Sequence, residues 1–420
     1  MLRRDFVGAG LTSLQTAAMA PPLDLFFRLL SLNGDEAKAA SRALTALWRD
    51  SYAIMLVELL RIYEAKNATR YADPVSPARA VHARLQDFVG ARTGKGFGPD
   101  LRAWSRWAWS LPYDPHPNYA EYKGQVYSNV DPRMQQFFPP GVQSTIRLDQ
   151  VEWGGVPVNG IPPLVNPKTL PAAEASYLKD SHAVFGIALA GEARAYPKRI
   201  LGWHEMARDR IGGRDIAVVY CTLCGTVIPY FPAAGGRAFT FGTSGMLYES
   251  SKLMFDEETK SLWSTLQGKP VIGALARAPL ELAFAPVVTT KWGEWRREHP
   301  NTTVLSLDTG HSRDYGEGAA YREYFGTDEL MFEVSRRDSR LRNKEEVLVV
   351  RLAGKKPLAI STRLLQSKRG YNYNHEGVPL TIQTSAAGAN RVFANGQPVA
   401  SHRAFWFGWY SQYPDTVLLK

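Results

Sequence analysis

Parts of this chain occur twice, and a repeat of that length constrains the fold more than any single motif. Leu189-Ala190-Gly191 returns as Leu352-Ala353-Gly354 at an offset of 163, and Ile200-Leu201 returns as Leu364-Leu365 at an offset of 164. The same offset carries Gly213 onto Gly377, Ile216 onto Leu380 and Val218 onto Ile382, so the alternating apolar pattern of a half-buried strand is reproduced. Trp292, Trp295 and Pro300 then match Trp406, Trp409 and Pro414 at an offset of only 114, so the second copy is 50 residues shorter. Two copies of one supersecondary unit predict a pseudo-symmetric, β-rich pair burying a shared core.

At 420 residues the chain is long enough for two or three units. Before the repeats, apolar residues recur at helical spacing from Asp35 to Ala65, in Leu44, Leu47, Trp48, Tyr52, Met55, Leu59 and Ile62. Ser76-Pro77 opens a second helix through Phe88, and Pro99-Asp100 a third through Trp109. After the proline-rich Pro112 to Pro117 the character changes. Short β-type runs follow, at Thr145 to Leu148, Val184 to Leu189, Ile216 to Tyr220, Val227 to Phe231 and Ala238 to Gly242, and helical signal returns at Trp292 to His299. The expected class is α+β: an all-helical domain over 21–110, a linker over 111–150, a first mainly antiparallel β-rich repeat over 151–335 and a shortened second repeat over 336–420.

The first twenty residues carry Arg3-Arg4, a weakly apolar stretch and Ala18-Met19-Ala20 before Pro21. They read as a twin-arginine export signal, which predicts a periplasmic or extracytoplasmic location. No run approaches the ~20 apolar residues of a membrane span. The net charge of +10 is dispersed, without a basic helix or interleaved aromatics on one sheet, so nucleic acid is not the expected partner. A protein partner, if there is one, is expected on the helical domain.

The chain has two cysteines, both in Tyr220-Cys221-Thr222-Leu223-Cys224-Gly225. At the offset of 164, Cys221 falls on Ser385, Cys224 on Gly388 and His204 on Lys368, so the second copy keeps the strand and lacks the reactive groups. Any site is therefore expected within 204–263 of the first copy. With Trp203-His204-Glu205, Phe241-Gly242-Thr243-Ser244-Gly245, Tyr248, Met254, Asp256, Leu262-Trp263 and Thr290-Lys291-Trp292-Gly293-Glu294-Trp295, this loop resembles the prokaryotic family called domain of unknown function 3179, from about Val151 onward. The resemblance implies a fold and a place for the site, and no reaction.

Three chemistries fit a Cys-x-x-Cys turn. It directs two thiolates to one point, and Cys221, Cys224, His204 and Met254 form a candidate set for zinc or copper. It also suits a thiol-disulfide oxidoreductase, although Thr226 to Phe231 continues as strand and not as the helix that lowers a thioredoxin-type thiol. A structural disulfide in a scaffold without catalysis is the third. Covalent c-type haem would require a histidine where Gly225 stands, and neither haem nor a nucleotide is expected. Thr243, Ser244 and Tyr248 are candidate ligand-binding groups, with Gly242 to Gly245 expected as a hairpin turn.

Overall fold

The structure, a computed structural model, describes residues 20–67 and 76–420. The segment read as an export signal lies outside them. Among the described residues no helix is long and apolar enough to cross a membrane.

Local chemistry starts two helices where the sequence placed them, though the first runs past Phe88 to Thr93. Ser76 Oγ accepts the N–H of Ala78 with Pro77 in the first turn of Pro77–Thr93, and Asp100 accepts from Ala103 at the start of Leu101–Ser110. The long periodic stretch is two helices, Gly34–Ala46 and Ala53–Lys66, because the chain turns at Trp48 to Asp50, where the Trp48 indole donates to Asp50. Residues 111–150 are more than a linker: they hold the helix Tyr119–Ser128 and the 3₁₀ segment Pro132–Phe137, with Tyr122, Val126 and Met134 fully buried. The proline cluster itself lacks regular structure, as does the stretch 138–147 apart from one bridge at Ser144. Likewise Thr145 to Leu148 is not a strand, since its neighbour Ser144 makes one bridge to Ile272 and the chain then turns.

Ala53–Lys66 is buried on nearly every side, as expected of a helix whose apolar residues run all round it. Two of its charges face partners in the interior: Glu58 meets the Lys123 ammonium and the Tyr119 hydroxyl, and Arg61 meets Glu152. One hydrophobic core joins these helices to Val151, Met246, Leu253, Phe255, Leu262 and Ile272 of the β region.

The β region comprises five small sheets of four or five strands and a two-stranded ribbon, arranged as a five-bladed propeller. Pairing is mainly antiparallel, with parallel exceptions at Glu192–Pro197 with Thr303–Leu305, Leu358–Ser361 with Val417–Leu419, and Leu164–Val165 with Met206–Ile211. Two sheets share an order. One runs Val288–Lys291, Ala183–Leu189, Glu192–Pro197, Thr303–Leu305; the other runs Ser401–Phe405, Glu346–Val350, Leu358–Ser361, Val417–Leu419. The helices Lys198–His204 and Thr362–Lys368 stand at the offset of 164, as do the strands Met206–Ile211 and Gly370–His375. At the offset of 114 the Trp295 indole donates to Thr302 Oγ1 and the Trp409 indole to Thr416 Oγ1, at 2.9 and 3.0 Å.

What the first unit has and the second lacks is the chain between Tyr230 and Val288. It forms the hairpin Phe241–Tyr248 with Ser251–Asp256, then Leu262–Ser264 and Lys269–Ile272, and this sheet takes Val151–Trp153 as an added edge. It therefore lies between the helices and the Cys-x-x-Cys turn.

Candidate functional site

Cys221 ends the strand Arg214–Cys221, and Thr226–Tyr230 returns antiparallel to it, with Cys221 opposite Thr226. The four residues between close as a tight turn that Gly225 completes at φ +59, a conformation glycine adopts without strain. The two sulfurs lie 2.7 Å apart. From behind, the second unit seals the turn: Phe405 N–H donates to the Cys224 carbonyl at 2.7 Å, and Gly408 leaves only enough room for the Cys224 side chain. From the loop that follows Leu305, the Tyr324 hydroxyl donates to the Leu223 carbonyl at 2.8 Å.

The front face comes from the inserted hairpin. Its two-residue turn, Glu249-Ser250, holds both residues at positive φ, 51° and 55°, as a type I′ turn requires. Neither is glycine, so the turn carries roughly 1–2 kcal/mol of strain per residue. Burying the Glu249 carboxylate against Ser335 N–H and Oγ anchors it. The turn sets Ser251 Oγ 2.9 Å from Cys224 Sγ and the N–H of Lys252 3.4 Å from Cys221 Sγ.

Lys252 itself is buried, and its ammonium donates to the carbonyls of Glu205 at 2.6 Å and Tyr220 at 3.1 Å. The Glu205 carboxylate lies 3.6 Å away and accepts from Thr222 Oγ1 at 2.6 Å and Tyr321 OH at 3.1 Å. Glu205 sits at φ +55 at the end of Lys198–His204, and Arg369 ends the matching helix of the second unit at φ +54. That backbone strain thus belongs to the helix-to-strand junction, while the carboxylate belongs to the site.

These groups divide the thiols. Burial drives the Cys221 thiol up, but the hydrogen bond shared with Cys224 and that from Lys252 N–H outweigh it, and the thiol lies below its ordinary value. Burial and then the neighbouring Cys221 sulfur push Cys224 well above. Burial also pulls Lys252 down, against the pull of Glu205 and Cys221. Cys221, Glu205, Thr222, Thr243, Lys252 and Tyr321 line a cavity of about 40 Å³.

Of the residues read from the sequence, Cys221, Cys224 and Thr243 are brought together. Thr243 donates to the Ile161 carbonyl at 2.8 Å and lines the cavity. Gly242 to Gly245 is no hairpin turn: it lies within a strand, where the register breaks between Thr243 and Leu247 and Gly245 takes φ +77 against the Val156 carbonyl. Ser244 serves that bulge, donating to the Leu253 carbonyl and accepting from Met246 N–H. Tyr248 pairs with Val151 and packs on the helical core, and burial pushes its phenol up to about 12. Met254 is fully buried between Thr243 and Trp263, in the same apolar cluster as the cysteines.

His204 faces elsewhere. One ring nitrogen meets the Pro162 carbonyl at 2.9 Å, the other the Tyr315 hydroxyl at 2.6 Å, and the ring lies against His311. It ends a helix, where each residue turns by about 100°, so its neighbour Glu205 faces the thiols and it does not. Among the described residues no three His, Cys, Asp or Glu side chains gather around a point that a metal ion would occupy. Sequence reasoning missed Glu205, Lys252 and Tyr321 as a set. Lys252 follows the polar Glu249-Ser250-Ser251 and gave no signal, and Tyr321, some hundred residues from Cys221 on a loop, gave none either.

Comparison with curated proteins finds no match, and neither does comparison with solved structures. The family model described as protein of unknown function (DUF3179) matches residues 158–402, more than half the chain and every residue lining the Cys221 cavity except Gly154 and Val156. The chain belongs to the DUF3179 family.

Proposed function

We propose that Cys221 and Cys224 form a thiol redox centre that alternates between dithiol and disulfide, with Cys221 as the reacting sulfur and Cys224 as its resolving partner. The observation that carries this reading is the asymmetry of two sulfurs 2.7 Å apart: one faces a cavity and takes the Lys252 N–H, the other is enclosed against Ser251 and Gly408. A reacting thiol must be a thiolate, and the thiol that leaves or resolves need not be. A purely structural disulfide gains nothing from a buried ion pair beside it, whose desolvation costs several kcal/mol per charge. A zinc or copper site would add a cation next to the Lys252 ammonium and would need donors that His204 does not supply.

In this reading Glu205 is a positioning residue. It holds the Lys252 ammonium, and Thr222 and Tyr321 hold Glu205, so the positive charge stands beside Cys221 while the pair is reduced. The test is a pair of thiol titrations followed by ultraviolet thiolate absorbance. In Cys224→Ser, where the serine hydroxyl takes over as donor beside the Lys252 N–H, the remaining Cys221 ionises below the ordinary thiol range, and in Cys221→Ser the remaining Cys224 ionises above it. Equal ionisation of the two would overturn the proposal, and one equivalent of zinc or copper in reduced, untagged protein would replace it with the metal reading.

We propose further that the two sheet-and-helix units descend from one duplicated module, and that the site arose where the first copy gained the inserted hairpin. The shared strand order and the matching Trp–Thr bonds support this. Export by the Arg3-Arg4 signal would deliver the pair to an oxidising compartment, where the disulfide is the resting state.

A further inference from the structure

The redox reading leaves open what oxidises the pair, and the shape of the site narrows the answer. Cys221 is 1% exposed, Cys224 is fully enclosed, and Thr222 and Leu223 between them are buried as well. Thiol-disulfide exchange with another protein requires the partner's sulfur to reach a Cys sulfur along the S–S axis, and no surface of this turn is open to such an approach. The opening is the cavity of about 40 Å³ that ends on Cys221. A water occupies about 30 Å³ in the liquid, and a cavity needs about 10–15 Å³ of probe-sized space to hold one, so this space takes a solute of two or three heavy atoms.

Its lining is chemically specific. Lys252, whose ammonium is a proton donor held on the Glu205 and Tyr220 carbonyls, lines it together with Glu205, Thr222 and Tyr321. A small polar molecule that accepts electrons and releases a basic fragment matches that lining.

We propose that the oxidant is a small hydroperoxide, hydrogen peroxide in the simplest case, and not a protein disulfide; this rests on the redox reading above. The Cys221 thiolate attacks one peroxide oxygen, the S–O bond forms as the O–O bond breaks, and the departing hydroxide takes a proton from Lys252 and leaves as water. Cys221 is then a sulfenic acid. The Cys224 sulfur, 2.7 Å away, attacks it: the S–S bond forms, the S–O bond breaks, and the hydroxyl leaves with the Cys224 proton as a second water. Two thiols lose two electrons and hydrogen peroxide gains them. The raised Cys224 thiol suits this order, because a protonated resolving thiol supplies the second proton.

The experiment is single-turnover oxidation of the reduced full chain under anaerobic conditions, followed by loss of free thiols and by intact mass. Hydrogen peroxide is compared with cumene hydroperoxide, with an oxidised thioredoxin-type protein and with a dithiothreitol redox buffer. The expected result is closure by hydrogen peroxide about tenfold or more faster than by the bulky peroxide, with the protein disulfide inert. Cys224→Ser should accumulate a dimedone-reactive sulfenic acid on Cys221. Lys252→Met should slow the peroxide step about 100-fold, the usual size of general-acid help. Thr243→Leu, which fills the cavity without touching the sulfurs, should also slow it and protects the test against misfolding of the Lys252 variant. If the protein disulfide oxidises the pair as fast as hydrogen peroxide, or if peroxide fails while the dithiothreitol buffer closes the disulfide, the peroxide proposal falls and the redox centre stands. If no oxidant closes the disulfide, both fall.

Discussion

Replacing Lys252 with methionine tests the electrostatic account of the site most directly. The lysine side chain is 6% exposed and that of Glu205 is 8%, so solvent screens their interaction little. At 3.6 Å, with an effective dielectric constant near 20, the pair attracts by about 5 kcal/mol. The two bonds from the ammonium to the Glu205 and Tyr220 carbonyls add about 1.5–3 kcal/mol each. Against these stands the cost of burying the ammonium, which methionine does not incur. Removing one member of a buried pair leaves the other charge unmatched, and the net loss is about 3–5 kcal/mol. Urea unfolding under reducing conditions, followed by tryptophan fluorescence, should show that loss for Lys252→Met. With Glu205→Gln added, the double variant should lose less than the sum of the single ones, by about 1–3 kcal/mol. In a Cys224→Ser background the two substitutions should move the Cys221 thiol in opposite directions, up without the ammonium and down without the carboxylate. A Lys252→Met protein less than about 1 kcal/mol below the parent, with strictly additive effects and an unmoved Cys221 thiol, would refute the reasoning.

Three further outcomes follow from other parts of the fold. Gly225→Ala puts a Cβ at φ +59 and 2.8 Å from the Phe405 ring, and chemical denaturation should show a loss of about 2–4 kcal/mol, strain and overpacking together. His402 is buried and bonded to Thr226; burial, helped by Arg351, lowers it to about 3, so it stays neutral in the fold where the unfolded chain takes up a proton. Stability therefore falls as pH drops from about 6.5 toward 3, by up to about 1.4 kcal/mol per pH unit, and His402→Gln should remove that part of the slope in urea melts across this range. Removing residues 20–110 strips the helices from a core they share with Val151, Met246, Phe255 and Ile272; the remaining chain should bind a hydrophobic dye and lose cooperative melting, and a soluble, cooperatively folding remainder would show that the β region stands alone.

Much of the local structure was legible in the sequence because short-range chemistry writes it. The caps at Ser76 and Asp100 end helices wherever such residues precede an apolar periodic run, and Trp292–Glu298 stops before Pro300 for the reason any helix does. The matching of Cys221 with Ser385 and His204 with Lys368 pointed to the first unit as the place to look for a site. The choice of partners was a different matter. His204 and Glu205 are adjacent, and only the turn of the helix end decides which of them meets the sulfurs. Lys252 reaches Cys221 because a strained hairpin folds over the turn, and Tyr321 arrives from a loop with no periodic signal. The sequence by itself determined several helix starts, many of the strands and the placing of both thiols on one turn. Tertiary structure alone decided which charge stands beside which sulfur, because desolvation and proximity are properties of assembled surfaces, and no spacing along the chain encodes them.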